Sequence, residues 1–197
     1  MAAVLSIEAL RDKIRAIEGR GVEPTKVPTG VPEVDELVGG LPVPGLVEVS
    51  GPRGSGRMRV VVAIALRLAA RRSAVAWIDP LGLLYPPGLA VLGLDLSQVL
   101  VVRPPAEQDV WACEQAARSG CFPLVVVVDP PLRKHLGARL SRAAEHGSCA
   151  VLVLSERTSR ELPASLRFLV QRDRLVVVRD RQGAPGRTGS LPGRRPA

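Results

Sequence analysis

The sequence is poor in several residue types that would assign it at once to a class of protein. Its 197 residues include only three cysteines and 3% aromatic side chains. No apolar run approaches the ~18 residues that a membrane span requires. Three cysteines without CxxC spacing indicate neither a disulfide framework nor a zinc site, and so few aromatic side chains leave little for stacking on single-stranded nucleic acid. We therefore expect no metal, no membrane span and a reducing compartment, the cytoplasm.

Lysine is also scarce, although the chain is basic. Lys13, Lys26 and Lys134 are the only lysines among 27 basic residues, which stand against 19 acidic ones and give a net charge of +8. The excess lies in residues 157–197, which contain 10 arginines and three acidic residues. Such a segment fits either a site for nucleic acid or an acidic protein, or a solvated tail. The candidate interaction residues in it are Arg167, Arg172, Arg174, Arg179 and Arg181.

The length allows one domain, or one domain with an appendage. Apolar residues recur near the N-terminus at three and four positions, which predicts an amphipathic helix over residues 1–21. Its apolar stripe fits either a protein partner or the chain's own core. Residues 22–45 are rich in proline and glycine and are predicted to form a linker around a short helix near 33–37. The stripe consists of Ile7, Leu10, Ile14 and Ile17.

Residues 46–181 alternate between short β-branched runs and segments of helical period. Runs such as 125–128 are apolar on both faces, as in a covered parallel strand. We predict an α/β fold with a three-layer core, a mostly parallel sheet and a C-terminal edge hairpin. Residues 182–197, rich in proline, glycine and arginine, are predicted to be a disordered basic tail. The predicted strands are 46–49, 74–78, 99–102, 124–128 and 150–154, the hairpin strands 166–171 and 175–178, and the helices 57–71, 89–92, 107–118 and 132–146.

The most specific local signal is a glycine-rich segment between the first predicted strand and the longest helix. Gly51 and Gly56 keep the spacing of GxxxxGK[ST], whose loop amides cradle phosphates. The lysine position holds Arg57 and the hydroxyl position holds Met58, whose thioether cannot replace a hydroxyl on magnesium. Asp129 ends a later apolar strand, where the acidic metal-associated residue of such sites lies. We expect no bound cofactor, although the loop could still hold an anion. The residues of this degenerate site are Gly51, Gly54, Gly56, Arg57 and Asp129.

Several short motifs follow one another along the chain: Thr29-Gly30 with Asp35, Gly39-Gly40-Leu41-Pro42, Val47-Glu48-Val49-Ser50-Gly51-Pro52, Trp77-Ile78-Asp79, Leu92-Gly93-Leu94-Asp95, Ala117-Arg118-Ser119-Gly120 and Leu166-Arg167-Phe168. On these motifs, the arrangement of residues 27–128 resembles the core of RecA-type recombinases, and the last motif fits the late hairpin of that family. In that family a catalytic glutamate lies two residues after the aspartate of the second strand, and counting from Asp79 places Leu81 there. Leucine cannot orient or deprotonate water. Together with Arg57 and Met58, this departure predicts that the protein is not an ATPase. The segments that would form RecA's DNA-binding loops are short, so strand exchange is not expected either.

A finer resemblance rests on Leu84-Tyr85-Pro86-Pro87-Gly88-Leu89 ahead of Leu92-Gly93-Leu94-Asp95 in a short, degenerate RecA-like chain. This combination resembles the ImuA family of bacterial SOS mutagenesis cassettes. The resemblance implies a non-enzymatic accessory factor in translesion DNA synthesis. Its implied partners are ImuB, an inactive polymerase relative, and RecA, with an error-prone polymerase reached indirectly and DNA as a further candidate. The alternatives are a cell-division inhibitor of the SulA type and a RecA-related ATP-binding protein with weak ATPase activity.

Overall fold

The computed structural model describes residues 23–105, 107–131, 135–159, 161–183 and 185–193. The predicted N-terminal helix and its apolar stripe lie outside the described residues. The elements are β1 (Thr25–Val27), α1 (Pro32–Val38), β2 (Leu41–Val43), β3 (Gly45–Ser50), α2 (Arg57–Ala70), β4 (Val75–Ile78), α3 (Pro86–Val91), a 3-10 turn (Leu96–Gln98), β5 (Val99–Val102), α4 (Asp109–Arg118), β6 (Leu124–Val128), α5 (Leu136–Gly147), β7 (Ala150–Ser155), β8 (Leu166–Gln171), β9 (Arg174–Asp180) and β10 (Thr188–Ser190).

An eight-stranded sheet organises the described chain, in the order β10-β9-β8-β3-β7-β6-β4-β5. The six strands from β8 to β5 are parallel, whereas β9 and β10 are antiparallel additions at one side. The predicted α/β class with a mostly parallel sheet is therefore confirmed. None of the described helices has the length and apolarity needed to cross a bilayer.

Helices cover both faces of the sheet, because the central strands are apolar on both sides. In β6, Val126 packs with the core on one face, which includes Val60 and Ile64 of α2. Its neighbours Val125 and Val127 pack on the other face, with residues of α4 and α5. The period of two along each strand thus divides its side chains between two cores.

The linker prediction for residues 22–45 is wrong for the described part of that segment. β1 and β2 pair in a short antiparallel hairpin, and Val34 of α1 is fully buried in the core. The Asp35 carboxylate fixes the start of α1, since it accepts hydrogen bonds from Thr29 N, Thr29 Oγ1 and Gly30 N, each of 2.8 Å. The prolines and glycines mark tight turns in a packed segment rather than a free connection.

The predicted disordered tail, residues 182–197, is also partly structured. β10 pairs with β9, with Gly189 opposite Leu175. Leu191 is only 6% exposed and belongs to the core, while Arg59 Nη2 donates a 2.7 Å hydrogen bond to Pro192 O. The predicted hairpin is present as β8 and β9, but β10 forms the sheet edge on that side and β8 pairs in parallel with β3.

Candidate functional site

The glycine-rich segment forms the loop between β3 and α2 at the carboxyl edge of the parallel strands. Asp129 lies at the same edge, directly after β6, because parallel strands end on one side of the sheet. This edge is where ligands bind in open α/β sheets. The structure therefore brings together the five residues of the predicted degenerate site.

Two glycines of the loop are required by its geometry. A Cβ on Gly51 would lie 2.7 Å from Val170 O, so only glycine lets β8 approach the loop this closely. Gly56 caps the N-terminus of α2 with φ +92°, and a Cβ there would lie 2.6 Å from a methyl group of Leu191. The loop is thus packed against β8 and the C-terminal segment.

Arg57, the first residue of α2, forms a two-point ion pair with Asp129. Its Nη1 and Nη2 atoms donate hydrogen bonds of 2.7 Å and 2.6 Å to the two carboxylate oxygens. The pair is nearly buried, with side-chain exposures of 9% and 11%. Such a fork-to-fork pair is among the strongest charge-assisted contacts in proteins. The cation of the loop and the acid of β6 therefore satisfy each other, in a region where a nucleotide site would offer them to phosphate and metal.

The other arginines around the loop also have partners within the chain. A cavity of about 390 Å³ opens beside the loop and is lined by Arg53, Arg57 and Arg59, among others. Arg53 pairs with Glu156, and Arg59 donates to Pro192 O. Across the described residues, no group of three or more His, Cys, Asp and Glu side chains could hold a metal. An incoming phosphate would have to compete with these internal contacts.

Asp79 at the end of β4 has a structural role in the turn that follows it. The carboxylate is fully buried and accepts hydrogen bonds from Leu83 N at 2.8 Å and Leu84 N at 3.0 Å. Arg103 Nε lies 3.4 Å away as its counter-charge. Leu81, two residues after Asp79, occupies the position at which RecA-type proteins have their catalytic glutamate, and it is 58% exposed. The described turn thus offers an apolar surface where RecA-type chemistry would need a base.

Sequence reasoning missed a buried ionic network that fixes β8 beside β3. Glu48 of β3 is fully buried and forms a salt bridge with Arg167 Nε of β8, its neighbour in the ladder. Glu48 Oε1 also accepts a 2.7 Å hydrogen bond from Ser159 N. Arg167 Nη2 donates to the carbonyl oxygens of Ser159 and Leu162, at 2.6 Å and 3.0 Å. A charged residue inside an otherwise apolar strand was the available signal, because buried acids require partners.

Arg167 therefore does not belong to an interaction surface, and its assignment as a contact residue is wrong. Its guanidinium is held inside the protein by Glu48, with the side chain only 9% exposed. This network also ties Ser159 and Leu162, in the connection between β7 and β8, to the sheet.

The four other predicted contact arginines separate into two groups. Arg172 and Arg174 are exposed around the turn that joins β8 to β9, at the carboxyl edge near the glycine-rich loop between β3 and α2. Arg179 and Arg181 lie at the far end of β9, beside the start of β8. Burial, aided by the neighbouring Arg181 and Arg167 charges, lowers the pKa of Arg179. The four side chains thus form two separate basic surfaces rather than one.

Comparison with known proteins agrees with this RecA-like arrangement. No protein-family model matches the chain. The chain is 35% identical to Protein RecA of Heliobacterium modesticaldum over 104 residues, which is 51% of this chain and 30% of that protein. It is 31% identical to Protein RecA of Ruminococcus albus over 113 residues, or 56% of this chain and 28% of that protein. The chain thus spans about three tenths of the length of these relatives, and the similarity supports a RecA-like relationship for the core.

Proposed function

We propose that the protein is a non-enzymatic RecA-like accessory factor in DNA repair that acts through contacts with other proteins. The observation that carries the proposal is the ion pair between Arg57 and Asp129. Phosphoryl transfer is catalysed by positioned cations and a base around the phosphates. In this chain the cation, Arg57, and the acid, Asp129, are bound to each other. Met58 stands in place of the hydroxyl residue that would hold magnesium, and Leu81 stands in place of the glutamate that would act as the base.

The more specific part of the proposal concerns the pathway and the partners. The RecA-like core supports a role related to DNA repair, and the resemblance to the ImuA family favours SOS-induced mutagenesis and translesion synthesis. On this proposal the partners are ImuB and RecA. The exposed arginines at the β8–β9 turn, Arg172 and Arg174, are the candidate contact residues on the described surface.

The proposed lack of ATPase activity is tested by two measurements: ATP binding by calorimetry, and phosphate release with and without single-stranded DNA. We expect neither binding of Mg·ATP nor hydrolysis by the wild-type chain. The double variant Arg57→Lys/Met58→Thr restores the two loop residues and is expected to gain binding but no hydrolysis, because Leu81 remains. Wild-type hydrolysis that disappears in Asp129→Ala would contradict the proposal.

The partner contacts are tested by co-purification with ImuB and with RecA. Deleting the basic segment 157–197 would not test these contacts cleanly, because the deletion also removes β8, β9, β10 and the Glu48–Arg167 salt bridge. The double variant Arg172→Glu/Arg174→Glu leaves the sheet intact and should reduce capture at least about tenfold. Arg118→Glu/Arg142→Glu changes the charge equally on exposed helix positions and serves as the matched control. Retention of neither partner by the wild-type chain would overturn the proposal.

DNA binding is a separate part of the proposal with its own measurement. If the arginines neutralise several phosphates, affinity for a DNA duplex falls steeply as salt is raised. Affinity that does not change with salt would exclude DNA as a ligand of these arginines without affecting the proposed protein contacts.

The alternative function, inhibition of cell division, has a separate test. Filamentation of cells that overexpress the protein would favour this alternative.

A further inference from the structure

The cavity beside the glycine-rich loop joins an apolar turn to a group of arginines. Its volume is about 390 Å³, and both Met58 of α2 and Leu83 of the turn after β4 line it. Leu81, Leu83 and Tyr85 of that turn are 58%, 42% and 72% exposed. Residues 80–92, which include the turn, contain no charged side chain in a chain of net charge +8. We call the cavity together with Leu81, Leu83 and Tyr85 the loop groove.

Hydrogen bonds anchor the backbone of the apolar turn. The buried Asp79 carboxylate accepts hydrogen bonds from Leu83 N and Leu84 N. Arg103 Nη2 donates a 2.8 Å hydrogen bond to Leu84 O. A surface that is already ordered loses little conformational entropy when a partner covers it. The exposed apolar side chains of the turn thus form a contact surface that is present before a partner binds.

The charges of the loop groove indicate what kind of segment fits it. The lining of the cavity contains three arginines, Arg53, Arg57 and Arg59, and one acidic residue, Asp129. Because Arg57 and Asp129 bind each other, Arg53 and Arg59 are the cations that the cavity presents to a partner. An apolar turn beside two guanidinium groups is complementary to a segment that carries both apolar and acidic side chains.

Both of these arginines have the capacity to bind an incoming carboxylate. The ion pair between Arg53 and Glu156 lies at the surface, with side-chain exposures of 62% and 47%. Exposed pairs add little stability, so Arg53 can exchange Glu156 for another carboxylate at little cost. Arg59 donates from Nη2 to Pro192 O, and a guanidinium has five N–H donors in all.

Other occupants fit the loop groove less well. A nucleotide would have to compete with the nearly buried pair of Arg57 and Asp129. Nucleic acid would use the arginines but leave the three apolar side chains of the turn uncovered. A second copy of the chain, at a net charge of +8, would bring mostly positive charge toward the arginines.

We propose that the loop groove binds a short segment of a partner protein in which large apolar residues stand next to aspartate or glutamate. An apolar side chain of this segment enters the cavity against Met58 and Leu83, and a neighbouring carboxylate pairs with Arg53 or Arg59. The place where a complete GxxxxGK[ST] loop would bind phosphates is thus used for a peptide. The inference rests on the proposed function, since it specifies the chemistry of one protein contact, but its surface does not include the arginines of the β8–β9 turn.

Selection of a random-peptide phage library on the immobilised full-length chain tests the chemistry of the occupant. We expect the selected peptides to place aspartate or glutamate beside leucine, methionine or phenylalanine. As labelled synthetic peptides in fluorescence anisotropy, they should bind Leu83→Gln and Arg53→Glu at least about tenfold more weakly than the wild-type chain. Both positions are exposed, so the fold should be kept, which circular dichroism checks. Val178→Gln on β9 and Arg118→Glu on α4 replace exposed residues outside the groove and should bind as the wild-type chain does.

Two further readouts depend on a gain of signal. A selected peptide whose acidic residues are replaced by lysine should bind Arg53→Glu more tightly than it binds the wild-type chain. A photo-crosslinker, p-benzoylphenylalanine, in place of Tyr85 should capture the original peptide. The same group in place of Trp111, an aromatic residue on α4 that is 57% exposed, should not capture it.

Several results would overturn the proposal. They are a selection that yields no peptide, one that yields only basic or uncharged peptides, and binding that is unchanged in both Leu83→Gln and Arg53→Glu. Displacement of the peptide by Mg·ATP or by a DNA oligonucleotide would also overturn it, since the groove would then hold a nucleotide. The assay uses neither ImuB nor RecA, so its failure is distinguishable from a failure of the co-purification that tests the proposed function.

Discussion

Replacement of Arg167 by alanine should be far more destabilising than replacement of any exposed arginine. The change leaves Glu48 fully buried without its counter-charge and removes the donor to two carbonyl groups. Removing one partner of a buried salt bridge costs about 3–5 kcal/mol. Because a domain of this kind has a free energy of unfolding of about 5–15 kcal/mol, about a fifth or more of it would be lost.

Urea denaturation followed by circular dichroism measures this loss. With a slope of about 2 kcal/mol per molar urea, the midpoint should fall by about 2 M. Arg174→Ala, at an exposed position, should change stability by no more than about 0.5 kcal/mol. A loss below about 1 kcal/mol in Arg167→Ala would refute the reasoning.

A double variant separates the salt bridge from its surroundings. Glu48→Leu/Arg167→Met removes both charges and fills the space with apolar side chains, which is often neutral for a buried pair. Recovery should be partial, since Ser159 N loses its acceptor and unsatisfied buried groups cost about 1–3 kcal/mol. If the double variant is no more stable than Arg167→Ala, the uncompensated charge of Glu48 is not the cause.

Two further predictions concern the loop glycines and the thiols. Gly56→Ala should lower the free energy of unfolding by about 2 kcal/mol, because φ +92° disfavours a side chain and the added Cβ meets Leu191. Gly54→Ala is the control, since φ is also positive there but the space around the added Cβ is open. A loss in Gly54→Ala equal to or larger than that in Gly56→Ala would contradict the packing argument. Cys121 should react rapidly with a thiol reagent in the native protein, whereas Cys113 and Cys149 should react only on unfolding, since burial raises the pKa of Cys149 to about 11 and that of Cys113 further. Three equally reactive thiols at neutral pH would refute the second prediction.

The central strands were predictable from the sequence because their pattern depends only on local periodicity. β5 and β6 begin and end at the predicted residues, and the glycine-rich loop lies between β3 and α2, as predicted. The positions of Gly51, Gly56 and Asp129 at one edge also followed from the parallel arrangement. Composition was less informative where a single buried apolar side chain determines whether a segment is packed against the core. Leu191 holds a segment that is otherwise proline, glycine and arginine.

The roles of the charged residues could not be read from the sequence. The excess of arginines in residues 157–197 led to the prediction that Arg167 lies on a basic surface. In the structure its neighbour in the β3–β8 ladder is Glu48, and only the order of the strands in the sheet brings the two residues together. The same holds for the pairing of Arg57 with Asp129, which are 72 positions apart. Side-chain charges are visible in a sequence, but their partners are determined by long-range topology.

The ion pair between Arg57 and Asp129, beside the glycine-rich loop, has a consequence for how the protein would behave in a cell. In a nucleotide-dependent switch, the shape of the loop depends on whether a ligand supplies the missing charges. Here a residue of the chain itself, Asp129, supplies the carboxylate that pairs with Arg57 of the loop. On the proposed function, contacts made by this core would be insensitive to the ratio of ATP to ADP.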